Sequence, residues 1–327
     1  MFRRFTRGFL VTAVGIGLAL APASQSEAVN WTFTQIGGFE QEGASTGIID
    51  GGGPASFFGA LEFHNPVSTI GGLTQYQNIG WGCNADGTAN STGGNCAGGV
   101  NTPTAANTTA TTATDPTTIG DGRSALQLNT FNGGIADDGV FVAISQLIHF
   151  NNVIDNDSRT LGEVNITAAL DLAPAVTGPF PNENTIRIGF LETFNDTITN
   201  ICDETSNPLG STCDDRFNVI TVGGFDPVAF SFNGQQFTME FTIGPPADCV
   251  AGAIVDGVTL FNCPGGDPAV DFGINFTTFE VYARENQDSQ LFVFARILPV
   301  EVPLPATAVL MGLGLLSMGL IRRRIGK

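Results

Sequence analysis

Phe237-Thr238-Met239-Glu240-Phe241-Thr242-Ile243 alternates strictly between apolar and polar side chains. Successive side chains of an extended backbone point to opposite faces, so this stretch predicts a strand with one face in a core and one in water. The same alternation appears in Trp31-Thr32-Phe33-Thr34, Ser124-Ala125-Leu126-Gln127-Leu128 and Phe230-Ser231-Phe232. More continuous apolar runs at 140–148, 185–191, 270–282 and 291–298 fit strands in a sandwich interior. Turn chemistry stands between them at Phe131-Asn132-Gly133-Gly134, Phe232-Asn233-Gly234 and Asp256-Gly257, where Asn, Asp and Gly tolerate positive φ. Between the terminal segments no helical period persists beyond about two turns. With 26 Phe to bury in so many short strands, the expected fold is all-β: an antiparallel β-sandwich, jelly-roll-like, of about ten to fourteen strands.

The two ends of the chain differ from this middle. Arg3, Arg4 and Arg7 precede an apolar run at 8–20 and the small-x-small site Ala21-Pro22-Ala23, the organisation of a secretory signal peptide over residues 1–23. Ser26-Glu27-Ala28 is a second cleavage candidate, so the mature start is left open between Ala23 and Ala28. At the other end Val302-Pro303-Leu304-Pro305-Ala306 leads into an apolar stretch, followed by Arg322, Arg323, Arg324 and Lys327. A helix over 306–321 would be about 24 Å long against a hydrocarbon core of about 30 Å, a deficit that bilayer thinning and snorkelling arginines can meet. Basic residues stay on the cytoplasmic side, so both basic ends leave residues 24–301 as the translocated part.

This C-terminal arrangement resembles the PEP-CTERM sorting tails of Gram-negative bacteria in their VPLPA-CTERM variant, over residues 302–327. The resemblance implies that Val302, Pro303, Leu304, Pro305 and Ala306 are a sorting motif and that Arg322, Arg323 and Arg324 are its cytoplasmic basic cluster. The implied partners are signal peptidase, an exosortase-type membrane protease and, through the terminal helix, the membrane. Pro303 and Pro305 hold the approach to the helix extended and accessible to a protease. A plain uncleaved anchor is the alternative, since an apolar span with basic flanks is all that anchoring needs.

All 31 acidic residues fall in the translocated part, which holds only six arginines among its basic residues. Such a surface repels phosphate backbones and excludes nucleic acid as a partner, while favouring solubility and cations. Six cysteines form three close pairs in sequence, Cys83 with Cys96, Cys202 with Cys213, and Cys249 with Cys263. Sequence alone leaves about 15 connectivities open. The local pairing is preferred, because each pair brackets a Gly, Asn, Asp or Pro-rich stretch that reads as a loop between strands. No Cys-x-x-Cys spacing suggests a metal site. Residues 101–118, rich in Thr, Ala and Asn, hold too little apolar side chain to pack and are expected to form a surface loop or insertion within one domain.

Inside that domain, Trp81-Gly82, Ser124-Ala125-Leu126 and above all Leu147-Ile148-His149-Phe150-Asn151-Asn152 resemble the THxN family of PEP-CTERM proteins, related to the choice-of-anchor K domain, over residues 81–172. Ile148 stands where that family's box has Thr, while His149 and Asn151 match. The resemblance implies no activity. At a strand end, His149 with Asn151 and Asn152 is expected to satisfy backbone groups where the ladder stops. His64-Asn65 repeats the pairing.

Three further chemistries have candidate residues in the sequence. Gly43-Ala44-Ser45-Thr46-Gly47 matches G-x-S-x-G, but a nucleophile elbow needs a helix after it, and a Gly-rich run follows. Asp155-Asn156-Asp157 and Asp214-Asp215 offer carboxylates for Ca²⁺ without the Gly and distal Glu of an EF-hand. A glycan site would stack sugar on Trp or Tyr, of which the chain has only Trp31, Trp81, Tyr76 and Tyr282; Tyr76 with Trp81 is the one short platform. The resulting expectation is a non-enzymatic, secreted or surface-displayed protein without catalytic residues, metal or cofactor. Its place is the extracellular matrix or envelope, with exopolysaccharide as a partner implied by the family context. A glycan-binding or glycan-cleaving jelly roll is the alternative, and a Ca²⁺-dependent adhesin the second.

Overall fold

The computed structural model describes residues 28–47, 61–81, 124–151, 160–191, 208–209, 215–219, 225–263, 272–283 and 288–300. The signal segment, the 101–118 stretch and the 302–327 tail with its helix at 306–321 lie outside the described residues. Sixteen strands are described, more than the ten to fourteen expected. They are β1 (Asn30–Gly47), β2 (Glu62–Ile70), β3 (Leu73–Trp81), β4 (Ser124–Thr130), β5 (Asn132–Ala136), β6 (Val142–Phe150), β7 (Thr160–Ala173) and β8 (Asn182–Leu191), then β9 (Asp215–Val219), β10 (Val228–Phe232), β11 (Gln235–Gly244), β12 (Val250–Val255), β13 (Val258–Asn262), β14 (Phe272–Asn275), β15 (Glu280–Ala283) and β16 (Ser289–Pro299).

All sixteen join one antiparallel sheet in the order β10-β11-β16-β6-β4-β3-β1-β7-β8-β9-β15-β14-β13-β12, with β2 against β3 and β5 against β1. A twisted sheet of this size curls on itself rather than staying open. Two buried clusters record the curl. Trp31 and Phe33 of β1 pack with Phe230 and Phe237 of β10 and β11 and with Ile297 of β16. Leu147 of β6 and Ile243 of β11 pack with Ile188, Phe217 and Phe272 from the other end of the sheet. Strands far apart in the hydrogen-bonded order thus face each other across a core, and the fold is all-β and sandwich-like.

β3 meets β1 over a short ladder. These strands share only Phe39↔Tyr76 and Glu40↔Gln75, whereas β1 pairs with β7 from Thr32 to Gly47. Gly38 makes the crossing possible: a Cβ there would lie 2.5 Å from the Tyr76 carbonyl oxygen. Beside it the buried Glu40 carboxylate accepts hydrogen bonds from Gln75 Nε2 at 3.4 Å and Asn165 Nδ2 at 3.3 Å. Amides from both neighbouring strands therefore compensate a charge that would be costly to bury alone.

The sequence-predicted hairpin turns are formed at Asn233-Gly234 (φ 50° and 81°) and Asp256-Gly257 (φ 50° and 82°), both with the positive φ at two central residues that a tight hairpin favours. Phe131-Asn132-Gly133-Gly134 is not a turn. Asn132 to Gly134 belong to β5 and pair with Thr32 to Thr34; a Cβ on Gly133 would approach the Phe33 ring to 3.2 Å, so this glycine makes room for an aromatic side chain. The apolar run at 270–282 is two strands rather than one. Asn275 Oδ1 accepts the N–H groups of Thr277 and Thr278 at 2.9 and 3.2 Å, turning the chain between β14 and β15.

Candidate functional site

The family-box residue His149 is the penultimate residue of β6, opposite Leu126 of β4 and Ser289 of β16. Its side chain crosses the core instead of ordering a turn. It stacks on Trp81 of β3 (centroids 6.1 Å apart, 13° between planes) and meets Phe190 of β8 and Phe217 of β9 edge-on at 5.3 and 4.8 Å. Phe190 in turn packs against Trp81 at 4.9 Å and Phe217 at 4.6 Å. These tilted and edge-to-face contacts are the favoured geometries for aromatic rings. The strand pattern explains the placement: His149 shares its face of β6 with Leu147, and Trp81 shares its face of β3 with Ile79, all in the same core.

Asp215 opens β9 from the other side of that core. Its carboxylate lies 3.7 Å from His149 Nε2, and the two residues are 0 % and 2 % exposed. Burial lowers the His149 pKa to about 3, because a charged imidazole among rings and aliphatic groups loses its hydration. The imidazole is neutral at ordinary pH, and among the described residues neither of its nitrogens makes a hydrogen bond. Ser289, opposite it in the ladder, is 9 % exposed, and its hydroxyl also makes none among those residues.

Serine, histidine and aspartate are thus brought together, though not in a working nucleophilic geometry. A nucleophile and its base must be within about 3.2 Å and reachable by substrate. Here Ser289 and His149 line one cavity of about 30 Å³ with Leu147, Ile188, Phe217 and Phe272, and that volume is far below what a substrate needs. The cluster packs side chains of β3, β6, β8 and β9 against one another in the core. Asn151, the second matching residue of the box, is 2 % exposed; Asn152 lies outside the described residues.

Other sequence-predicted positions resolve individually. The G-x-S-x-G stretch is the end of β1, where Ser45 pairs with Glu163 and Thr46 with Leu161 across register shifts, so the strand continues where an elbow would turn. Asp215 of the Asp214-Asp215 pair is in the core and offers no solvent-facing ligand; Asp214 and residues 155–157 lie outside the described residues. Trp81 is wholly buried and cannot form a sugar platform with Tyr76. His64 is buried on β2 opposite Asn78. Among the described residues no group of three or more His, Cys, Asp or Glu is placed to hold a metal ion.

Cys249 and Cys263 form a disulfide with Cα atoms 4.1 Å apart. They flank the paired residues Val250 and Asn262, so the bracketed stretch is the β12–β13 hairpin and not the loop expected. Its turn residues, Asp256-Gly257, sit at the tip of that hairpin. Cys83, Cys96, Cys202 and Cys213 lie outside the described residues.

One surface feature escaped the sequence reading. Side-chain amides form a continuous row across β3, β4, β6 and β16: Gln77 Nε2 donates to Asn129 Oδ1 at 2.9 Å, Asn129 Nδ2 to Gln146 Oε1 at 3.0 Å, and Gln146 Nε2 to Gln290 Oε1 at 2.9 Å. Phe292, whose ladder partner is Gln146, stacks against Phe131 with centroids 6.2 Å apart. Four uncharged residues from four strands cannot be linked by local pattern, because only the sheet order brings them into line.

Compared with known proteins, the chain matches no family model, and no curated protein is significantly similar to it. Fold and geometry define an all-β, disulfide-clipped sandwich-like domain with an aromatic core around a buried histidine.

Proposed function

We propose that this is a non-enzymatic secreted or surface-displayed protein, exported by its signal segment and sorted through its C-terminal tail to the extracellular matrix or envelope. The observation that carries the reading is the tail itself: Val302-Pro303-Leu304-Pro305-Ala306, an apolar stretch and Arg322-Arg323-Arg324 in that order, resembling VPLPA-CTERM sorting tails. Under this reading signal peptidase and an exosortase-type protease act on the two ends, and the domain between them is the exported product, a jelly-roll-like sandwich. Two features of the domain support it. The Cys249–Cys263 disulfide suits an oxidising compartment, and the histidine–carboxylate pair is shut inside the core.

The test is the intact mass of the protein recovered separately from envelope and medium, with its terminal peptides sequenced. Loss of the residues after the Val302-to-Ala306 motif is the expected result; a product still ending at Lys327 in both fractions would leave a permanently anchored protein and refute the sorting step.

A second reading is favoured by the amide row. Amides joined side by side, with the Phe131–Phe292 pair next to Gln146, offer uncharged donors, acceptors and an apolar surface to a neutral glycan such as an exopolysaccharide. Gln146→Ala interrupts the row at its centre. It is expected to weaken retention of the protein on a neutral-polysaccharide matrix, and unchanged retention would dispose of this surface as a glycan site.

A further inference from the structure

The last strand in the sheet order, β12, is Val250-Ala251-Gly252-Ala253-Ile254-Val255, and every one of its residues is exposed. Val250 is 66 %, Ile254 70 % and Val255 37 % exposed. Side chains of an edge strand alternate between two faces, so exposure of all six means that no described residue covers either face of β12. The segment carries no charge in a chain whose net charge is −18, and Asp248 and Asp256 stand just outside its ends. Its inner edge is taken by β13. An uncharged apolar edge is a template for pairing with another strand, and proteins that avoid such pairing place Lys, Pro or a covering segment there. Among the described residues the one blunting device is the register shift between Ala251 and Ile254.

The order of the residues indicates what the partner is. About a two-fold axis between Gly252 and Ala253, antiparallel pairing of β12 with itself sets Val250 opposite Val255 of the second copy, Ala251 opposite Ile254 and Gly252 opposite Ala253. All pairs are apolar, and the irregular centre of the strand falls on the axis, leaving the regular halves to pair. The disulfide at the base of the hairpin holds β12 in place before any partner arrives, which reduces the ordering cost of association. We propose that β12 is a homotypic assembly edge through which two copies of this chain join, continuing the sheet across the interface. Such a contact is isologous and closes at a dimer.

In this register Asp256 faces Cys249 of the second copy and Asp248 faces Gly257, so acidic groups of the two copies gather at both ends of the paired strands. Added salt screens that repulsion, and the dimer therefore tightens as ionic strength rises.

The test is the concentration dependence of the mass of the full chain by sedimentation, for wild type, Ile254→Lys, Val250→Lys and Val140→Lys, with Val140, an exposed residue outside β12, as the control. The expected result is a wild-type dimer that strengthens with salt. Both β12 variants should weaken it at least about tenfold, because each places a lysine charge among the apolar pairs of the joined edge, while Val140→Lys should behave as wild type. Thermal unfolding of each variant confirms that it is folded, and two β12 sites guard against a local accident at one. A monomeric wild type at every concentration overturns the proposal. So does a dimer that both β12 variants leave intact, which would place association elsewhere, for example in the terminal segment.

Discussion

At one end of the sheet, β10 is closed off. Thr177 N–H donates to the Ser231 carbonyl and Ser231 N–H to the Thr177 carbonyl, each at 2.8 Å, and the Phe180 ring rests on Phe230 at 5.4 Å. At the other end, no described residue covers β12 in this way, and three of its large side chains stand in water. The chain therefore treats the two ends of this strand order oppositely. The covered edge is anchored in the aromatic cluster of Trp31, Phe230 and Phe237; the bare edge is fastened by a disulfide. A covered edge ends a sheet, whereas a rigid bare edge can extend it. The contrast argues that the open edge serves the molecule, and it can be tested from both ends.

The largest effect is expected at the covered edge. Phe230 is 2 % exposed and contacts Trp31, Phe180 and Phe237 at ring distances of 5.7, 5.4 and 5.4 Å. Phe230→Ala should cost about 3–5 kcal/mol, the usual range for emptying an aromatic core position. Urea unfolding measures this, and amide exchange at Thr177 should rise with it. A loss below about 1 kcal/mol, of the size seen at a surface position, would mean that Phe230 does not anchor the cover.

At the bare edge the corresponding fastening is covalent. The Cys249–Cys263 bridge closes a ring with a sequence separation of 14, for which the chain-entropy model gives about 3 kcal/mol. Replacing both cysteines by alanine should lower stability by about that amount, and hydrogen exchange should rise first in β12 and β13. Uniform exchange across the sheet would show that the bridge does not hold the hairpin in particular.

Between the two ends of the strand order the core holds a buried titratable group. Burial sets the His149 pKa at about 3, against about 6.5 in an unfolded chain. Between those values the unfolded state binds a proton that the folded state does not. The contribution of neutral His149 is therefore complete above about pH 6.5 and falls by about 1.4 kcal/mol per pH unit as pH drops towards 3. His149→Phe should remove this slope between about pH 6.5 and 5, above the range where most carboxylates titrate. A slope unchanged by the substitution would place the acid sensitivity elsewhere.

How far these features could be read in advance follows from the range of the signals. Alternation in Phe237 to Ile243 and the pairs Asn233-Gly234 and Asp256-Gly257 are local, and they forecast β11 and two hairpin turns. The close approaches were not local: Gly133 looked like turn chemistry and proved to be space for Phe33, a fact known only to the β1–β5 pairing. His149 is the sharper case. Its neighbours Trp81, Phe190 and Phe217 come from three other strands, so an apparent strand-end histidine is a core residue, and Asp215 a core partner instead of a surface carboxylate. The amide row was hidden for the same reason.

The smallest effect on stability is expected where the effect on assembly is greatest. Ile254 is 70 % exposed, so Ile254→Lys removes almost no buried area, and the melting behaviour of the monomer should stay within about 0.5 kcal/mol of wild type. A comparable change at Phe230 would introduce a charge into a closed aromatic cluster. The two positions lie on the outermost strands of one sheet, yet one is constrained by the fold and the other is not. Chemical denaturation at low protein concentration separates the two effects, since dimer stabilisation vanishes on dilution while folding stability does not. If Ile254→Lys lowered stability under those conditions, β12 would be packed against something within its own chain, and the distinction between a closed and an open edge would collapse.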